Sequence, residues 1–127
     1  MRDQKADGVG RILVVEDESS ILTALTLLLE MEGYQVAEAT NGRQGLELLA
    51  GFVPDLIVTD YMMPYMNGLE MVRHLRQDPV YADVPVILVS AAPPAGEEGA
   101  ELVDVCLPKP VAIDKRLAAI ERLLAAR

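Results

Sequence analysis

The chain has one cysteine, Cys106, and one histidine, His74. A single cysteine excludes an internal disulfide and fits a reducing compartment. A single histidine has no second imidazole to share a metal or a phosphoryl relay, so His74 reads as a solvated helix residue. Basic charge is also short. Lys and Arg number 11 against 20 Asp and Glu, for a net −9 and a pI near 4.5. That balance argues against a nucleic-acid or anionic-membrane surface, either of which wants clustered cations. No apolar run approaches the ~20 residues of a membrane span. Residues 1–10 are polar and glycine-bearing and lack the apolar core of a signal peptide. They read as a flexible N-terminal tail, with one domain over 11–127 in the cytoplasm. Repeats, low-complexity stretches and internal linkers are missing as well.

What remains is an ordinary globular composition. The chain is 51% hydrophobic and 24% charged, and at 127 residues it can bury a real core. Runs rich in Val, Ile and Leu lie near 11–15, 34–39, 55–59, 84–89 and 103–107. Most are continuously apolar, as strands covered on both faces are. Helical periodicity fills the gaps. Ile21, Leu22, Leu25, Leu28 and Leu29 share a face over about 19–31. A second helix starts at Asn41, with Gln44 placed as the far end of a capping box. A third starts at Asn67, with Glu70 in the same role, and buries Leu69, Val72 and Leu75. A last one, about 112–126, aligns Ile113, Leu117, Ile120 and Leu124. Strand and helix in alternation give an α/β fold with a parallel sheet and right-handed crossovers. The segment 90–102 breaks the rhythm. Two prolines and two glycines in Ala91-Ala-Pro-Pro-Ala-Gly-Glu-Glu-Gly99 leave room for a loop and a short helix, begun at Pro94 or Ala95.

Four apolar runs end in polar groups. Glu16-Asp17 follow the first, Asp60 the third, Ser90 the fourth and Lys109 the fifth. In a doubly wound, flavodoxin-like sheet of order 2-1-3-4-5, ligands bind beyond the carboxyl ends of the strands where the order reverses. That puts Glu16, Asp17 and Asp60 together, with Ser90 and Lys109 on the same rim. Two like charges ~4 Å apart repel by roughly 4 kcal/mol at an effective dielectric near 20. Three carboxylates therefore call for a hard divalent cation, and Mg²⁺ suits a site offering one or two of them and water. Three negative charges, Mg²⁺ and Lys109 sum to zero. Such a pocket attracts a phosphoryl group, and a carboxylate such as Asp60 can itself be the nucleophile, giving an acyl phosphate.

The motifs Val14-Val-Glu-Asp-Glu18, Asp60-Tyr-Met-Met-Pro-Tyr-Met-Asn-Gly68, Val89-Ser-Ala91 and Leu107-Pro-Lys-Pro110, in this order and each after a strand, carry a resemblance. From about Arg11 to Leu124 the chain resembles the CheY-like receiver domain of two-component response regulators. The resemblance implies that Asp60 accepts phosphate from a histidine kinase or phosphotransfer protein and switches a protein-binding surface. It implies Mg²⁺ held by Asp17, by Glu16 through water, by Asp60 and by the backbone carbonyl of Met62. Lys109 would contact the phosphoryl group, Ser90 would act as the hydroxyl switch, and Lys109–Pro110 would be cis. It also implies a phosphoacceptor, not a turnover enzyme on a small substrate.

Departures from the pattern stand beside these expectations. Cys106 replaces the usual aromatic partner of the switch and reads instead as a small core hydrophobe. Val111 replaces the common Phe, and the stretch from Ser90 to Lys109 is short. Met62 and Ala92 occupy positions that tune dephosphorylation in relatives, and neither orients a water, so phosphate loss should be slow. Met62, Met63, Met66 and Met71 read as loop and core packing rather than a cofactor site. Tyr61 and Tyr65 flank the pocket, either shading it or meeting a partner. The bland readings are a dipole-favoured acidic helix start at 16–18, a strand-ending serine and a surface lysine. A dehalogenase-type phosphatase wants a second acid where Met62 stands, and a nucleotide module wants a less acidic first loop. The serious rival is a receiver-like interaction module regulated without phosphorylation. Since the chain stops with its last helix, either a stand-alone receiver or a piece of a larger regulator is expected.

Overall fold

Three runs of unbroken apolar sequence become the middle of one sheet. In the computed structural model, which describes residues 10–91 and 100–125, these are β1 (Arg11–Val15), β3 (Leu56–Asp60) and β4 (Val86–Ser90). β2 (Gln35–Ala39) and β5 (Val105–Pro108) flank them. All pairings are parallel and the order is β2-β1-β3-β4-β5. The expected doubly wound order is therefore present, and the reversal falls at β1, which pairs with both β2 and β3.

Alternate residues of the central strands feed two separate cores, which is why these runs needed no polar face. Ile12, Val14, Leu56, Val58, Ile87 and Val89 pack under α1 (Ser19–Met31) and α4 (Ile113–Ala125), where Leu22, Leu25, Leu29 and Ile120 are buried. Leu13, Val15, Ile57 and Val86 pack on the opposite side with Met71, Val72 and Leu75 of α3 (Gly68–Arg76) and Leu49, just past α2 (Gly42–Leu48). At roughly 1.5–3 kcal/mol for each large side chain fully buried, these two layers are the main favourable term in folding.

Helix starts follow the sequence closely. Asn67 and Glu70 form a reciprocal capping box, with Glu70 N donating to Asn67 Oδ1 at 2.9 Å and Asn67 N to Glu70 Oε1 at 2.8 Å. At α2 the reading is half right. Asn41 Oδ1 accepts from Gln44 N at 2.8 Å, but Gln44 Oε1 reaches one residue further back, taking the Thr40 N–H at 2.6 Å. Gly10 is already buried, and its carbonyl accepts from Gln35 N at 2.8 Å. The tail expected over 1–10 otherwise lies outside the described residues. So does most of the fourth crossover, residues 92–99, where a short helix begun at Pro94 or Ala95 is expected. What is described there is one 3-10 turn at Ala100–Leu102.

That turn is fixed from α3. Arg76 Nε and Nη2 donate to the Leu102 carbonyl at 3.3 and 2.9 Å. Its Nη1 donates to the carbonyls of Tyr81, Ala82 and Val84 at 2.9, 3.1 and 2.7 Å. Asp104 Oδ1, which accepts from Val86 N at 2.8 Å, lies 3.5 Å from Nη2. One guanidinium thus ties the entry of β4 to the entry of β5.

The expectation that Cys106 is a core residue is overturned, for the thiol is exposed. β5 is an edge strand whose Val105 and Leu107 pack on the α1/α4 core, and the alternation of a strand turns Cys106 to the other side. His74 is exposed on α3, as expected. Among the described residues, no helix is long and apolar enough to cross a membrane.

Candidate functional site

The carboxyl ends of β1, β3, β4 and β5 open on one rim. Asp60 is the last residue of β3 and only 3% exposed. Glu16 follows β1 directly and is buried, while Asp17 beside it is exposed. Carboxylate oxygens of Glu16, Asp17 and Asp60 all lie within 4.8 Å of one another. Ser90 ends β4 and is buried. Its carbonyl accepts the Lys109 N–H at 2.8 Å, which sets the start of the next loop alongside it. The Lys109–Pro110 bond is cis. From there Lys109 Nζ reaches to 2.8 Å from Asp60 Oδ1. That ammonium is the charge-assisted partner of the buried carboxylate oxygen.

The loop after Asp60 is held at both ends. Gly68 N donates to the Tyr61 carbonyl at 2.8 Å, and Tyr61 N to the Val89 carbonyl at 2.9 Å. Gly68 is glycine because the chain passes too close for anything else. A Cβ there would press into the Asp60 carbonyl oxygen and stand 2.8 Å from Leu88 Cδ1. Within the loop, Tyr65 has φ +71° and is 85% exposed, a left-handed conformation that a bulky residue seldom adopts. The Met62 side chain is exposed, whereas Met63 and Met66 pack against the α2/α3 core.

One site residue was not foreseen. Arg116 of α4 is 4% exposed, and its Nη1 lies 3.4 Å from Glu16 Oε1. Its Nε donates to the Val111 carbonyl at 3.4 Å. The sequence signal was there: Arg116 sits three residues after Ile113 and four before Ile120, within the apolar stripe of the last helix. A cation at such a position must find a buried partner or leave the stripe. It also changes the charge account. Three carboxylates face two fixed cations, not Lys109 alone, so the pocket carries one net negative charge before any ion enters.

Electrostatics within the cluster is strained. Glu16 is raised above its ordinary 4.5, first by burial and then by the negative charge of Asp60. The Glu18 N–H, 3.1 Å from Glu16 Oε2, and the charges of Lys109 and Arg116 pull the other way. Three carboxylates whose oxygens lie within 4.8 Å of one another, two of them buried, are a donor set for a hard cation such as Mg²⁺. The residues present therefore fit that ion.

Comparison with known proteins agrees with this layout. A family profile described as the response regulator receiver domain matches residues 12–121. The chain is 39% identical over 117 residues to the response regulator MprA of Mycolicibacterium vanbaalenii, covering 90% of this chain and 50% of that protein. It thus spans about half the length of the curated relatives it matches. Among solved structures, the chemotaxis response regulator CheY4 of Vibrio cholerae superposes with a TM-score of 0.82 at 28% identity, covering 90% of this chain and 98% of that one. The response regulator TrrA of Thermotoga maritima, solved in complex with Mg²⁺ and a beryllium fluoride, gives 0.78 at 30% identity, with 90% and 98% covered. With the profile spanning most of its length and the sheet order matching, the chain belongs to the response regulator receiver domain family.

Proposed function

We propose that this domain takes a phosphoryl group onto Asp60 from a phosphohistidine of a histidine kinase or phosphotransfer protein. An Asp60 carboxylate oxygen attacks phosphorus, the P–N bond breaks, and the departing imidazole nitrogen takes up a proton. The observation that carries this reading is the Asp60 carboxylate itself: buried, 2.8 Å from Lys109 Nζ and within reach of two further acids. Asp17, Glu16, Asp60 and the Met62 carbonyl would hold Mg²⁺. Bound there, the ion would neutralise charge on the transferring group.

The chain's own residues do the rest. Lys109 follows an oxygen of the arriving group from its place at the Asp60 carboxylate. Ser90, at the end of the adjacent strand, offers its hydroxyl on the same rim. Gly68 keeps the strand end and the loop in contact, so that the carboxylate does not recede into the core. Exposed Met62 has no group that orients an attacking water, which fits a long-lived phosphoryl state. The domain is a signalling phosphoacceptor of the cytoplasm that presents a changed surface to a protein partner and is not a turnover enzyme.

The test is phosphorylation with a small-molecule acyl phosphate in Mg²⁺, read by intact-protein mass. One added phosphoryl group, lost in Asp60→Asn and without Mg²⁺, is expected. No mass change in the wild-type domain would discard the reading. That result would favour the rival module regulated without phosphorylation, for which exposed Cys106, in place of the family's aromatic, speaks.

A further inference from the structure

We infer that Arg116 is a resident counter-cation of the acidic pocket, set there to weaken Mg²⁺ binding before phosphorylation and to favour the phosphorylated, Mg²⁺-loaded pocket. The inference rests on the phosphoacceptor reading above and concerns a residue outside the four motifs that carry it.

The argument is one of place and charge. Arg116 reaches Glu16 from α4, and both are buried. Buried ion pairs seldom repay their desolvation, so a guanidinium in an apolar stripe is a poor device for stability alone. Its 3.4 Å contact is with Glu16 Oε1, while Glu16 Oε2 accepts from Glu18 N. Arg116 and an incoming cation therefore draw on the same carboxylate.

With Lys109 and Arg116 both present, the empty pocket holds one net negative charge, and Mg²⁺ turns it to one net positive. Converting the Asp60 carboxylate to a dianionic aspartyl phosphate adds one negative charge and brings the loaded pocket to neutrality. Without Arg116 the order shifts. The unphosphorylated Mg²⁺ pocket would then be neutral, and the phosphorylated one would carry an excess negative charge. Arg116 thus moves the neutral point from the resting state to the signalling state. Charges this close interact strongly at the effective dielectric of a protein site, so the shift is measurable.

The experiment uses Mg²⁺ and beryllium trifluoride, an anion that adds to an aspartate carboxylate with the charge of a phosphoryl group. Calorimetry at pH 8 gives the Mg²⁺ affinity of the wild-type domain, Arg116→Met and Arg116→Lys. The beryllium trifluoride affinity is then measured in saturating Mg²⁺. Arg116→Met should bind Mg²⁺ about tenfold more tightly and the anion about tenfold more weakly, roughly 1.4 kcal/mol each way. Arg116→Lys, which keeps the charge, should return both toward wild type. A general packing defect weakens both ligands together and cannot produce opposite shifts. If Arg116→Met does not fold, as judged by circular dichroism, Arg116→Gln takes its place. Shifts of the same sign, no shift, or a Lys variant that behaves like the neutral one would overturn the inference while leaving the phosphoacceptor reading intact. A wild-type domain that binds neither ligand would sink both.

Discussion

Replacing Lys109 with Met is the most informative single perturbation of this pocket. Lys109 Nζ stands 2.8 Å from Asp60 Oδ1, with its side chain 30% exposed and that of Asp60 3% exposed. At that distance and an effective dielectric near 20, the gross attraction is about 6 kcal/mol. Removing one partner of a fully buried pair costs about 3–5 kcal/mol, because the other charge stays behind without compensation. Water reaches Lys109, which lowers the figure, and Arg116 still supplies one positive charge to the cluster. The expected loss in metal-free buffer is therefore roughly 2 kcal/mol. Urea unfolding in the presence of a chelator measures it, as a fall in midpoint at constant slope. In an Asp60→Asn background the same substitution should cost much less, giving a coupling of at least about 1 kcal/mol. Mg²⁺ at a hundredfold excess over its dissociation constant should add roughly 2.7 kcal/mol back. A Lys109→Met domain as stable as wild type without metal, and uncoupled from Asp60→Asn, would show that the pair does not form in the folded domain.

Three further outcomes test other parts of the structure. Gly68→Ala forces a Cβ against the Asp60 carbonyl and Leu88, so thermal unfolding should report a loss of about 2 kcal/mol, together with slower phosphorylation; a neutral effect on both would refute the close approach. Arg76→Met removes the guanidinium from the carbonyls of Leu102, Tyr81, Ala82 and Val84 and should cost about 2 kcal/mol by urea unfolding, while Mg²⁺ affinity, set on the far rim, stays the same. For Glu16, the folded chain holds a proton between the ordinary 4.5 and its raised value that the unfolded chain has released, so its contribution to stability falls as pH rises through that window and levels off above it. In metal-free buffer, wild type should accordingly lose stability relative to Glu16→Gln from about pH 4.5 upward; parallel profiles for the two proteins would count against the raised value.

Much of this architecture was readable from residue order. Continuous apolar runs such as Ile12 to Val15 and Val86 to Val89 have no solvent side, and the two cores found on either face of the sheet explain why. The acids, hydroxyl and amine were legible because each interrupts such a run at its carboxyl end, where a polar group needs a reason to be. Arg116 escaped notice because periodicity weighs hydrophobic positions and treats a cation among them as an exception. Its partner lies a hundred residues away in sequence, on β1's end. Cys106 departs from expectation for the opposite reason: small thiols are usually buried, and nothing in Val105-Cys-Leu107 says which of the three faces away from the α1/α4 core. The second turn of the capping pattern at Gln44 slipped by one residue because an amide side chain has the reach to choose between two neighbouring N–H groups.

Because the Tyr61 carbonyl and the Gly68 N–H are joined, residues 62 to 67 hang from the scaffold like a handle fastened at both bolts. Between those bolts Met63, Met66 and Asn67 still serve the core and the start of α3, but the exposed crest at Tyr65 is free to change without moving the footing of Asp60. Evolution or an engineer can thus rewrite how this domain is gripped at outward-facing Tyr65 without reopening the question of whether the acid beneath still works.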